Sequence, residues 1–229
     1  MAAKKTENND VAMRVELPGM DIGLITVRIV GDSPLIVHKW SEKAKKEMLD
    51  KQMKKATKGK EAKNPYRDFV DALYWLDENG CVIDTPSSLD GIGVSLPEDK
   101  VNEVLRNGKY GFPTTAFKAC AIDAGYQQGV IAKKTTARGA FHILGEYAVI
   151  EGIPDMREDM VQIGGLSRVA DIRYRPEFRS WKTTLTIRYN KNAISPEQIM
   201  NLLNYGGFSN GVGEWRPSRD GSFGTFHCE

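Results

Sequence analysis

Arg216 and Arg219 stand beside Glu214 and Trp215 in a run that opens with Gly206-Gly207 and closes with Gly221-Ser222-Phe223-Gly224. Guanidinium groups hold phosphate in a bidentate fork and indole rings stack on bases, so these residue types suit contact with nucleic acid. Interspersed glycines permit close backbone approach and leave amide N–H groups to face an anion. The same residues also allow a plainer arrangement, a glycine-rich β-hairpin in which Glu214 pairs an arginine and Trp215 enters the core.

Three other stretches carry related chemistry. Arg173, Tyr174, Arg175, Phe178, Arg179, Trp181 and Lys182 interleave cations with aromatic rings. A surface that follows a single strand needs this mixture for phosphate contact and base stacking. The flanking alternation predicts a β-hairpin over 169–189, turning at Pro176-Glu177, and charges on such a hairpin can equally protect an edge from aggregation. Between Lys39 and Lys63 there are ten lysines against four acids. Lys43, Lys46 and Lys54 in this stretch either track a phosphate backbone or simply solvate a helix face. Finally, the basic, hydroxyl-rich run 133–139 offers Lys133, Lys134 and Arg138, which could contact phosphate or cap a helix.

These groups must be positioned by the following elements. Ile25, Val27 and Ile29 alternate with Thr26 and Arg28, the period of a half-buried strand, and Leu35 to Val37 resumes it after a break. Ser41 is placed to cap a helix reaching about Lys58. Residues 65–76 read as a helix with a strand-like end, followed by a turn at 77–80. Residues 81–109 read as an insertion or lid. A helix rich in small residues spans about 114–126, a strand covers 141–150, and 153–165 reads as an acidic loop. Ser195-Pro196-Glu197-Gln198 forms a capping box, with Ile199, Leu202 and Leu203 on one apolar face. Gly206-Gly207 is expected to end that helix.

Composition sets outer limits. The chain has 229 residues, 41% apolar and 27% charged, with a formal net charge of +2. Affinity for nucleic acid therefore has to come from local patches. No run of 18 apolar residues exists, so no membrane span is expected. The first twenty residues read as a polar, disordered or extended tail ahead of one α+β domain at 21–229, with insertions at about 41–110. Three cysteines without C-x-x-C spacing argue against a disulfide framework and suit a reducing cytoplasm. No histidine pair has metal-ligand spacing, and neither a P-loop nor a nucleophile elbow occurs. No metal or cofactor is expected.

The order of elements predicts an α+β fold of the ferredoxin-like (RRM-like) kind, an antiparallel sheet with helices on one face and an inserted basic or lid region. Gly211-Val212-Gly213-Glu214-Trp215-Arg216 together with Gly221-Ser222-Phe223-Gly224-Thr225-Phe226 resembles the glycine-rich loop of the RAMP superfamily, the Cas5-, Cas6- and Cas7-like CRISPR proteins. From Ser33-Pro34-Leu35 onward the chain also resembles proteins of tailed bacteriophages and prophages. A Cas7-like relationship implies an RRM-like fold that binds nucleic acid, polymerises along it and uses no cofactor.

The expected function is thus binding of single-stranded DNA or RNA by a homo-oligomer in phage replication, recombination or defence, inside a bacterial host cell. One alternative is a phage structural or host-defence-interaction protein that binds another protein. Another is a metal-independent Cas6-like RNA endonuclease using His38 or His142 with Lys39 or Lys134.

Overall fold

The computed structural model describes residues 19–55, 62–163 and 169–229. Most of the expected N-terminal tail and of the linker after Lys55 lies outside them. The centre is the antiparallel pair β1 (Ile22–Gly31) and β10 (Lys182–Asn190), in register from Ile22 opposite Asn190 to Val30 opposite Lys182. Val27 and Ile29 of β1 and Leu185 and Ile187 of β10 point into the core. Leu24, Thr26, Thr184 and Arg188 point outward, as period-two alternation requires.

β11 (Phe226–Cys228) lies on the free side of β1. β6 (Phe141–Ile143) and β7 (Tyr147–Glu151) share the other side of β10. The sheet then continues through β5 (Tyr110–Pro113), β3 (Trp75–Leu76) and β4 (Val82–Ile83), every pairing antiparallel. This is a mixed α+β architecture built on a large antiparallel sheet.

Two 14-residue helices, α4 (Thr114–Gln127) and α6 (Pro196–Ser209), pack together against the core side of this sheet. Ser195 caps α6: its hydroxyl accepts from the Gln198 amide, and the Gln198 side chain accepts from the Ser195 amide. The helix does not stop at Gly206-Gly207. A Cβ on Gly206 would stand 3.0 Å from the Ala121 backbone of α4, and one on Gly207 would stand 1.9 Å from the Phe226 carbonyl oxygen. These glycines serve helix–helix and helix–strand approach rather than termination.

The shorter helices are α1 (Glu42–Gln52), α2 (Pro65–Asp71), α3 (Glu98–Asn107) and α5 (Lys134–Ala140). Ser41 does cap α1, accepting from the Ala44 amide, but the helix ends at Gln52. Phe69 and Val70 of α2, Trp75 of β3 and Val101 and Leu105 of α3 join the same core as β1 and β10.

The largest departure from expectation concerns 153–189. β9 (Val169–Phe178) and β10 do not form a hairpin, because they belong to different sheets. Pro176 and Glu177 lie within β9, whose partner is β8 (Pro154–Ile163), the stretch expected to be an acidic loop. Together with β2 (Leu35–Ile36) they form a second sheet ordered β2-β9-β8. β8 and β9 are paired from Pro154 opposite Phe178 to Ile163 opposite Val169, and ionic side chains link them as well. Arg157 bonds Asp159 at 2.8 Å and Glu177 at 3.0 Å, while Arg175 reaches Asp159 at 3.3 Å.

Candidate functional site

The glycine-rich segment folds back on 33–36 and is zipped to it by backbone hydrogen bonds. Glu214 N donates to the Ile36 carbonyl at 3.0 Å, Gly224 N to Pro34 at 2.8 Å, and Val212 N to Gly224 at 2.9 Å. Phe223 N donates to Trp215 O, and the amides of Ser218, Arg219, Asp220 and Gly221 also find carbonyls nearby. Most of the amides expected to face an anion are therefore spent inside the loop, and the anion-binding contribution falls to side chains.

Those side chains line a cleft of about 440 Å³ between the loop, α4 and the end of β2. Arg216 and Arg219 both line it, together with His38, Tyr74, Glu214 and, from α4, Cys120 and Asp123. Arg216 is half-buried, its Nη1 donating to the Gly213 carbonyl at 2.8 Å and its Nε to the Ser218 hydroxyl at 3.0 Å. Arg219 is exposed and its guanidinium has no side-chain partner among the described residues. Trp215, in a left-handed conformation with φ 51°, is 41% exposed, so it is a surface residue and not the core residue of the plainer reading.

Glu214 faces a histidine and not an arginine. Its Oε1 lies 4.0 Å from His38 Nδ1. Burial depresses the His38 pKa, the nearby Arg175 and Arg173 charges depress it further, and Glu214 acts in the opposite direction. The Glu214→Gln variant should therefore show a still lower His38 pKa in an NMR titration, because the charge that favours imidazolium is gone. An unchanged pKa would contradict the pairing.

Tyr74, which the sequence did not single out, packs its ring 5.5 Å from Tyr147 and 6.4 Å from Phe112. Burial first, then Tyr147 and Glu214, raises its phenol pKa. Burial pushes the Cys120 thiol up to about 12, which leaves it protonated and a poor nucleophile at neutral pH.

His38 also borders a second groove of about 900 Å³ between α1, α2 and β9. Three of its cations are compensated by carboxylates. Arg67 binds Asp71 at 3.0 Å, and Lys63 and Arg173 both bind Asp171 at 3.2 Å. Tyr174 is half-buried beneath the Lys63 ammonium, 5.8 Å from the ring centroid.

The remaining expected site residues scatter. Trp181 is 1% exposed and its indole N–H donates to the Ser33 carbonyl at 2.9 Å. A ring so enclosed has no free face for a base, which overturns its assignment to a stacking surface. Arg175 is buried against Asp159, with its Nε lacking any partner, so it does not reach a bound strand either. Arg179 is exposed but faces Asp155 at 3.2 Å and Glu177 at 3.7 Å.

Lys43 lies in α1, as does Lys46, whose side chain is exposed; Lys54 is exposed just past its end. Lys133 is exposed, Lys134 pairs Asp123 at 2.8 Å, and Arg138 is exposed on α5. Of the expected set, Arg173 and Tyr174 line the second groove, and Arg216 and Arg219 line the glycine-loop cleft, with Trp215 next to them in the chain and Phe208, 83% exposed, near the end of α6.

The pairs expected for RNA cleavage do not form. Lys39 turns away from His38 to donate to the Ile83 carbonyl at 3.2 Å. His142 lies 3.4 Å from Lys118 Nζ, while Lys134 is held by Asp123. Among the described residues no helix is long and apolar enough to cross a membrane.

No protein-family model matches the chain, and no curated protein matches it. Among solved structures the chain is similar to Cmr6 from Pyrococcus furiosus at 13% identity, over 91% of this chain and 99% of that one, with a TM-score of 0.34. A similarity at that level carries no argument about fold or activity.

Proposed function

We propose that the protein binds single-stranded nucleic acid, DNA or RNA, through the glycine-loop cleft. The observation that carries this reading is that Arg216 and Arg219 both line one cleft, with exposed Trp215 adjacent to Arg216 in the chain. Arg219 engages backbone phosphate as a free guanidinium, while Arg216 holds the loop in shape and adds charge. Trp215, and Phe208 on α6, provide rings on which bases stack. The outward face of the central strands offers Leu24, Thr26, Thr184 and Arg188 and no aromatic ring. In this reading a base is therefore held at the loop and not on the open sheet.

The finer proposals are a ferredoxin-like ancestry within the RAMP superfamily, assembly of copies along the strand, and a role in phage replication, recombination or defence in the bacterial cytoplasm. A second reading, contact with another protein, is favoured by the β8–β9 hairpin. Its cations are neutralised internally, while Met156, Met160, Val169 and Ile172 are exposed on it.

The test is fluorescence anisotropy with labelled single-stranded DNA and RNA of about 30 nucleotides at two salt concentrations. The Arg216→Ala/Arg219→Ala double variant should bind about tenfold or more weakly and reduce the salt slope by about 1 for each phosphate no longer neutralised. Unchanged affinity and slope would overturn the reading. Absence of binding by the unsubstituted protein at low salt would favour the protein-contact reading.

A further inference from the structure

A second group of cations lies where α4, α5, β6 and β10 meet and shares no residue with the glycine-loop cleft. Lys118 of α4 donates through Nζ to the Arg138 carbonyl at 2.7 Å and sits 3.4 Å from His142 Nδ1. Its ammonium lies 5.6 Å from the Phe141 ring centroid. His142 of β6 is the direct cross-strand partner of Arg188 on β10, and both side chains are exposed. On the far side of Arg188, β1 contributes only Leu24. The guanidinium groups of Arg138 and Arg188 have no side-chain partner among the described residues.

The electrostatics agree that this group lacks a counter-charge. Burial lowers the His142 pKa, and Lys118 and Arg188 lower it further. Burial and then Arg138 lower that of Lys118. No carboxylate contributes to either. Elsewhere the protein compensates clustered charge closely, as in Arg28 with Glu151 or Lys191 with Asp21. Like charges held side by side repel unless an anion enters between them. The arrangement is also prepared for one: the Phe141 face and the Arg138 carbonyl hold the Lys118 ammonium, and the strand ladder sets the separation of His142 from Arg188.

We propose that Lys118, Arg138, His142 and Arg188 form a phosphate-binding site, separate from the cleft, that accepts a phosphate group either free or within a polynucleotide backbone. The lysine and arginine termini on either side of the imidazole supply charge-assisted hydrogen bonds, and the imidazole adds one N–H donor when neutral and a second when protonated. The site does not depend on the cleft binding anything.

The experiment follows the His142 imidazole of the full-length protein by NMR. It is titrated with pH in inorganic phosphate and in chloride of equal ionic strength. Phosphate should raise the His142 pKa, because a bound anion favours the imidazolium, while His227 beside Asp32 serves as a control. Arg188→Gln, a change at an exposed position, should weaken phosphate binding about tenfold without altering the circular dichroism spectrum or melting temperature. A Lys118→Gln variant should do the same. An unchanged His142 pKa, or undiminished affinity in Arg188→Gln, would overturn the site. Displacement of phosphate by a short oligothymidylate assigns the site to a nucleic-acid backbone, whereas binding of phosphate without displacement assigns it to a free phosphate compound.

Discussion

Replacing Trp181 with alanine should lower the free energy of unfolding by about 3–5 kcal/mol. The indole lies at the junction between the two sheets, where the chain leaves β9 and enters β10, and is 1% exposed. It is held by Phe117 of α4, with centroids 6.4 Å apart, and by Phe226 of β11 at 6.2 Å. Its N–H satisfies the Ser33 carbonyl, and a Cβ on Gly31 would stand 2.1 Å from Nε1, so the backbone of β1 has been shaped around the ring. Truncation leaves a cavity in the centre of the core and removes the donor to Ser33. Urea unfolding followed by circular dichroism measures the effect. If Trp181 were a surface stacking residue, the change in stability would stay within about 0.5 kcal/mol, and binding alone would suffer.

Gly224→Ala should destabilise the protein by on the order of 3 kcal/mol and, in addition, deform the cleft. Gly224 adopts φ +69°, a left-handed conformation that is unfavourable for alanine, and a Cβ there would stand 1.7 Å from the Val212 carbonyl oxygen. Backbone atoms cannot rotate aside, so the Val212–Gly224 and Gly224–Pro34 hydrogen bonds must open. The loop that carries Arg216 and Arg219 then loses its bond to Pro34, one of its links to 33–36. Gly129→Ala is the matched control: φ is +72°, but nothing lies within 4 Å of the added Cβ, so it should cost only about 1 kcal/mol and leave binding intact. Equal losses of stability and of affinity in the two variants would mean that the loop geometry has no bearing on the site.

Much of the local structure is encoded over a few residues and is therefore readable without the fold. The Ser195–Gln198 capping box depends on atoms three positions apart. The alternation of Val27 and Ile29 with Thr26 and Arg28 follows from the pleat itself. The Ser41 cap and the apolar face of Ile199, Leu202 and Leu203 are local in the same sense. Likewise, the glycine-rich segment that carries Arg216 and Arg219 is recognisable from its residue identities alone.

Tertiary structure decides the rest, because the deciding contacts lie far away in sequence. β8 was hidden because its inward pattern is ionic and not apolar: Arg157 meets Glu177, and Asp159 meets Arg175, only once β8 and β9 are paired. Composition cannot tell a compensated arginine from a free one, so Arg173 and Arg175 read like Arg219 until Asp171 and Asp159 are placed beside them. Nor can it tell a buried Trp181 from an exposed Trp215. The two glycines of α6 match a helix stop by identity alone, and only the approach of Ala121 and the Phe226 carbonyl makes them packing residues. The Lys118–His142–Arg188 group has no sequence signature at all, since it assembles from α4, β6 and β10 through strand register and helix packing.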